Sequence, residues 1–255
     1  MSKKLRIKVD PLSFTSLYLK LFARGHQIST ATGFVVEHKG RNFLITNWHV
    51  LSGRDPETEQ PLCKETAAIP DEIRIAHNLK RAIGSWRFYH ERLYTNDDSP
   101  RWTEHPRGRE VDVACLRLKG IPNEVKIKPL DLDLADVDLA LYPAMPVSVI
   151  GFPLGLRPNA LFGVWKTGHI ASDPDLALRK DASFLIDATT REGMSGSPVV
   201  ARAIGQYMTS RGLEITGKMV TRFLGIYSGC IHKDSEIGRV WHPRVIRELL
   251  ERATT

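Results

Sequence analysis

The sequence predicts a mostly-β fold, a sandwich or barrel assembled from many short strands, with one helix at the C-terminal end. Three observations lead there. Apolar and β-branched residues recur in short runs throughout, turn residues separate those runs, and a helical apolar period is clear only near the end of the chain. A parallel α/β sheet would instead interleave its strands with long amphipathic helices.

Taken in order, "ATGFVVEH" (31–38) and "RNFLITN" (41–47) are rich in β-branched and aromatic residues, and Lys39-Gly40 between them reads as a hairpin turn. The polar segment 52–110 is too long for a structureless loop, so strands are expected within it at "DEIRIAH" and near "SWRFYHERLY". Alternation marks "VDVACLRL" (111–118), and "PVSVIGF" (146–152) is mostly apolar. The proline-bearing, acidic stretch at 119–146 looks like a connection between two halves. Further strands are expected at "LFGVWKTGHIAS", "SFLIDAT", "SPVVARA", "KMVTRF" and "LGIYSG". In "HPRVIRELLERA", Val245, Ile246, Leu249 and Leu250 form one apolar stripe and Pro243 suits a first helical turn.

The formal net charge of +7 does not by itself imply an acidic partner, because Lys and Arg are scattered among Asp and Glu. There is no aromatic-interleaved basic motif, so nucleic acid is not the expected partner. No apolar run reaches the ~18 residues of a membrane span. The three cysteines, Cys63, Cys115 and Cys230, offer neither a paired framework nor a metal or redox motif, and no cofactor is expected. With no apolar leader at the N-terminus, a cytoplasmic protein is the expectation.

The chemistry centres on "TTREGMSGSPVV" (189–200). Ser195 stands between Gly193-Met194 and Gly196, where the backbone is free to turn tightly and aim amides at one point. Serine needs a base, an orienting acid and oxyanion donors to act as a nucleophile. His49, at the end of an apolar strand, is of the type that titrates near neutrality. Asp112, flanked by Val111 and Val113, is a carboxylate whose burial needs compensation. Singly, each residue reads as a turn, a structural histidine or a surface acid. Together they stand in the order His49, Asp112, Ser195, which is that of one protease architecture and not of α/β-hydrolases or subtilisins.

"ATGFVV…FLITNWHV", "VDVACLRL", "VIGFPLGL", "TGHIAS" and "DATTREGMSGSPVV" resemble, in the same order, the motifs of trypsin-like serine peptidases, especially the bacterial HtrA-like side of that family. The resemblance spans about residues 30–230. It implies two six-stranded antiparallel β-barrels of the chymotrypsin type with the active site between them and a C-terminal helix packed on the second. The implied layout is an N-terminal extension 1–27, a first barrel 28–130 with insertion 52–110, a second barrel 131–240 and a helix 241–255. By motif match His49 is the base, Asp112 the orienting acid and Ser195 the nucleophile, with the amides of Gly193 and Ser195 as oxyanion donors. The substrate pocket maps to Thr189, Thr190, Tyr227, Ser228 and Gly229, with Thr189 at its floor. One hypothesis from this is a small, polar or acidic residue before the scissile bond with His169 or His232 as a positive partner, although a lone histidine carries little information and the preferred reading of both is an ordinary strand residue.

The departures also carry expectations. Met194 replaces the aspartate that receives a new N-terminus in zymogen-activated members, so no such activation is expected. Ser197 stands where most of the family has glycine, and no PDZ-like segment follows the second barrel. The implied function is a serine endopeptidase acting on protein or peptide substrates without metal or cofactor. A second reading stands beside it: a latent or inactive protease-fold binding module regulated by a partner protein.

Overall fold

The computed structural model describes residues 8–81, 83–157, 161–176, 182–232 and 234–255. Its strands are β1 (Ser16–Ala23), β2 (His26–His38) and β3 (Arg41–Thr46), followed by the short helix α1 (Trp48–Ser52). Next come β4 (Glu72–Asn78), β5 (Trp86–Arg92), β6 (Trp102–Glu104) and β7 (Ala114–Arg117). The second half holds β8 (Pro146–Gly151), β9 (Val164–Ile170), β10 (Ser183–Asp187), β11 (Pro198–Thr209), β12 (Gly212–Cys230) and β13 (Ile237–Trp241), and ends in helix α2 (Pro243–Thr254).

The first half is an antiparallel sheet of order β5-β4-β1-β2-β3-β7-β6, and the second is a closed barrel of order β10-β13-β12-β11-β8-β9. This is the chymotrypsin-type arrangement, but where two six-stranded barrels are expected only the second half closes through its strand pairings, and the first differs in count as well. The first half has seven strands where six are expected. Two of the seven, β1 and β6, lie outside the strands expected from the sequence, and β1 falls in what the sequence reading sets apart as an extension, 1–27. "SLYLKLFA" is buried on nearly every residue and lies between β2 and β4 in the sheet. Residues 1–7 of that stretch lie outside the described residues. Within 52–110, strands form at both expected places, β4 at "DEIRIAH" and β5 in "SWRFYHERLY", and β4 pairs directly with β1. The last part of this segment returns as a hairpin in which Arg101 N donates to Leu93 O at 2.9 Å, leading β5 into β6.

Local chemistry accounts for much of this. Lys39 and Gly40 both have positive φ, +48° and +69°, the geometry that two-residue hairpin turns between twisted strands require. In the second half, "KMVTRF" and "LGIYSG" are parts of one long strand, β12. "IGRVW" supplies β13, which the sequence reading does not anticipate; it pairs with both β10 and β12 and so completes the barrel.

One apolar cluster fills the interior of the first sheet, with Leu19, Leu44 and Ile73 among its members, and another fills the barrel, with Val149, Ile186 and Val199. A third joins the halves: Phe34, Ile45 and Val113 from the first meet Ile150, Phe223 and Trp241 from the second. Helix α2 buries Val245, Ile246, Leu249 and Leu250 in this seam. It contacts β6 and β7 as well as β12, so it is shared between the halves rather than packed on the second alone.

Candidate active site

His49 is delivered by α1, directly after β3. Gly53, left-handed at φ +66°, closes the helix, and its N–H donates to His49 O at 2.9 Å. Asp112 arrives from the first half's other end. Although alternation predicts it inside a strand, β7 begins only at Ala114, and residues 111–113 leave the ladder. The reason is competition for the backbone. Val113 N bonds Val111 O at 2.6 Å, and Asn47 Nδ2 takes Asp112 O at 2.7 Å, while Val111 and Val113 are both buried in the inter-half seam.

That loop turns the Asp112 carboxylate onto His49. Oδ1 accepts from His49 N at 2.9 Å, and Oδ2 lies 2.6 Å from His49 Nδ1. Ser228 Oγ donates to the same Oδ2 at 2.5 Å. Asp112 is only 5% exposed, and these bonds satisfy an anion that would otherwise be costly to bury. A carboxylate partner fixes the His49 proton on Nδ1 and leaves Nε2 as an acceptor. Burial opposes a charged His49 ring, but the field and hydrogen bond of Asp112, aided by the field of Asp55, outweigh it. The His49 pKa is therefore raised above the ordinary 6.5.

Ser195 lies on the turn between β10 and β11, held chiefly by Thr32 of β2. Thr32 N donates to Ser195 O at 2.9 Å, and its hydroxyl donates to Gly193 O at 2.7 Å while accepting from Phe152 N at 3.1 Å. Thr46 Oγ1 in turn donates to Thr32 O at 2.8 Å. Thr32 is wholly buried, so these bonds form out of water. The turn fits only because residue 196 has no side chain: at φ +85°, a Cβ there would sit 2.0 Å from Thr32 O.

Leu154 N donates to Glu192 O at 2.6 Å. In a trans peptide the N–H points opposite to the C=O, so this bond aims Gly193 N–H away from Leu154. Among the described residues, neither Gly193 N–H nor Ser195 N–H has an acceptor, and Ser195 Oγ has no hydrogen-bond partner. Gly193, Ser195 and His49 line one cavity of about 550 Å³. Met194 points the other way and is fully buried in the barrel's apolar cluster.

A family model described as "Trypsin-like peptidase domain" matches residues 31–207. The chain belongs to the trypsin-like peptidases. Solved structures agree on the fold. A serine endoprotease from Yersinia pestis has a TM-score of 0.53 at 12% identity, covering 97% of this chain and 67% of that one. The protease Anisep from Arthrobacter nicotinovorans has 0.51 at 14%, covering 94% and 95%. A protease from M. tuberculosis in its active form has 0.50 at 18%, covering 94% and 81%. No curated protein matches in sequence.

Within this trypsin-like peptidase the residues mapped to the substrate pocket part company. Thr189 is not an open floor, because its hydroxyl is bonded to Glu236 at the exposed edge of the barrel. Thr190 and Tyr227 are buried and hydrogen-bonded to each other. Ser228 belongs to Asp112, whereas Gly229 and Cys230 line a second cavity of about 710 Å³ that also meets His49 and Asp112. His169 and His232 are exposed and line neither cavity, so the acidic preference they were to serve has no support. Sequence reasoning also missed Thr32; the only signal was a hydroxyl directly before the apolar run of β2, and Ser29 and Thr30 on the same strand blur it. Among the described residues no group of three or more His, Cys, Asp or Glu is placed to hold a metal ion, and no helix is long and apolar enough to cross a membrane.

Proposed function

We propose that this peptidase is a serine endopeptidase that hydrolyses peptide bonds through an acyl-enzyme, with His49, Asp112 and Ser195 as its triad. The observation that carries this reading is the 2.6 Å bond between His49 Nδ1 and Asp112, with His49 facing the same cavity as Ser195 and two unpartnered amides. His49 Nε2 takes the proton from Ser195 Oγ as that oxygen attacks the substrate carbonyl carbon. The oxyanion accepts hydrogen bonds from Gly193 N–H and Ser195 N–H, a stabilisation of which a single donor is typically worth about 10²- to 10³-fold in rate. His49 then gives its proton to the leaving amine as the C–N bond breaks. Water, deprotonated by His49, attacks the acyl-enzyme, and the proton returns to Ser195 Oγ as the acid departs.

Two features support activity without N-terminal cleavage. Met194 contributes packing where a salt bridge would otherwise hold the loop, and Thr32 ties that loop from the other half of the molecule. The three free cysteines fit a reducing compartment, consistent with a cytoplasmic setting. The test is labelling by a fluorophosphonate together with hydrolysis of an unfolded protein such as casein. Wild-type protein is expected to label at one serine and to cleave. Ser195→Ala is expected to lose both, by on the order of 10⁴- to 10⁶-fold in kcat; retention of wild-type cleavage by that variant would overturn the reading.

A further inference from the structure

The peptidase reading leaves the substrate open, and the barrel wall next to Ser195 narrows it. The family resemblance maps the pocket for the residue preceding the scissile bond to the wall adjoining the nucleophile. That wall is the segment before Ser195 and the β12 residues bonded to it. Gly196 N donates to Tyr227 O at 2.9 Å, and Tyr227 N donates to Ser197 O at 2.9 Å, so Tyr227 adjoins the nucleophile through its own backbone.

Its side chain occupies the ground beside it. The Tyr227 hydroxyl is hydrogen-bonded to Thr190 Oγ1 and lies 3.6 Å from Cys230 Sγ. On β13, Gly238 pairs with Cys230, and a Cβ added to Gly238 would come 2.3 Å from ring atom Cε2 of Tyr227. One ring thus touches the loop before the nucleophile, the end of β12 and the facing residue of β13. Tyr227 is 2% exposed, and neither of the cavities that meet at His49 is lined by Tyr227 or Thr190. The nearby charges are already engaged: Glu236 accepts from Thr189 and lies 3.6 Å from Arg191.

We propose that Tyr227 fills the pocket for the residue preceding the scissile bond, so that the enzyme cleaves after small uncharged residues such as alanine, glycine and serine. This rests on the peptidase reading above. A long side chain would have to displace a packed ring and leave Thr190 without its partner, and a charged one would find Glu236 and Arg191, among the described residues, already engaged with their own partners. Desolvation raises the Tyr227 hydroxyl's pKa, so it stays neutral and offers a substrate cation nothing to pair with.

The experiment uses a fluorogenic peptide series that varies only in the residue before the scissile bond. It is run on wild type, Tyr227→Phe and Tyr227→Val, with active sites counted by fluorophosphonate. Wild type is expected to show kcat/KM for alanine at least about tenfold above leucine, phenylalanine, lysine or glutamate. Tyr227→Phe keeps the ring and should keep that ranking. Tyr227→Val empties the pocket and should raise the leucine-to-alanine ratio about tenfold or more.

A wild-type optimum at a large or charged residue overturns the proposal. So does a Tyr227→Val protein that labels fully yet keeps the wild-type ratio. If Tyr227→Val does not fold, the wild-type ranking and the Tyr227→Phe ranking decide alone. Failure of wild type to label marks a failure of the peptidase reading itself, and the pocket assignment falls with it.

Discussion

His49 is where charge, burial and chemistry meet most tightly. Because its folded pKa is raised, the pair with Asp112 favours the imidazolium. Its contribution to stability is complete below the ordinary 6.5 and is lost as pH rises through the folded value. Under the proposed mechanism catalysis has the opposite sign, since His49 acting as the base must be neutral. The acid limb of kcat/KM against pH is therefore expected to have its midpoint above 6.5. In Asp112→Asn that midpoint should move down, because the raising influence goes while the burial remains, and kcat should fall by about 10⁴-fold. A limb that stays put in the variant would assign the titration to another group. Thr32 invites a subtler test, as its bonds to Gly193 O and Ser195 O hold the loop that carries the proposed nucleophile. Thr32→Val keeps the shape and removes the bond to Gly193 O. It is expected to lower kcat by ~10- to 100-fold with KM nearly unchanged, and Thr32→Ser should restore most of the loss. Equal changes in kcat and KM, or no rescue by serine, would argue for a merely structural role.

At the scale of elements, the site is built from strand ends and the turns beyond them, with the rigid strands as anchors. Helix α1 follows β3 directly, residues 111–113 step off the ladder just before β7, and the nucleophile turn precedes β11. The nucleophile turn is the most constrained of these. Gly196→Ala would set a methyl group against Thr32 O and Thr46 Oγ1 in a left-handed conformation. The expected outcome is loss of fluorophosphonate labelling, with a lower thermal midpoint by calorimetry. An unaltered labelling rate would mean the turn adapts without disturbing Ser195. The Lys39-Gly40 turn and the α2 stripe are legible in the sequence because their signals are local, a residue pair in one case and a 3.6-residue period in the other. β1 is not legible in this way. Buried on both faces between β2 and β4, it lacks the alternation that marks a half-exposed strand.

Across the whole molecule, the proposed triad draws on both halves: His49 and Asp112 come from the first, Ser195 from the second. Its geometry therefore depends on the seam between them, and α2 is part of that seam. Glu248 of α2 also lies 2.9 Å from His105 Nε2, and Arg252 donates to His105 O at 3.0 Å, tying the helix to the approach to Asp112. Leu249 is fully buried there. Leu249→Ala is expected to cost about 2–5 kcal/mol, read from the denaturant midpoint, with labelling lost over the same denaturant range. Labelling that survives after the seam has opened would show that the halves align without the helix.

By itself the sequence determined the β-rich class, the terminal helix, the order of the three candidate residues and the likeness to one peptidase family. Each of these is carried by local pattern or by ordered motifs. Tertiary structure alone decided which of those residues meet, that Ser228 supports Asp112, that Thr32 holds the nucleophile turn and that Tyr227 closes the wall beside it. The physical reason is range. Ser228 and Asp112 are 116 residues apart, and Thr32 and Gly193 are 161 apart, so no local period or propensity records either contact. A hydroxyl's partner is set by which strands the fold makes neighbours, and that becomes fixed only when the two halves bury their common seam.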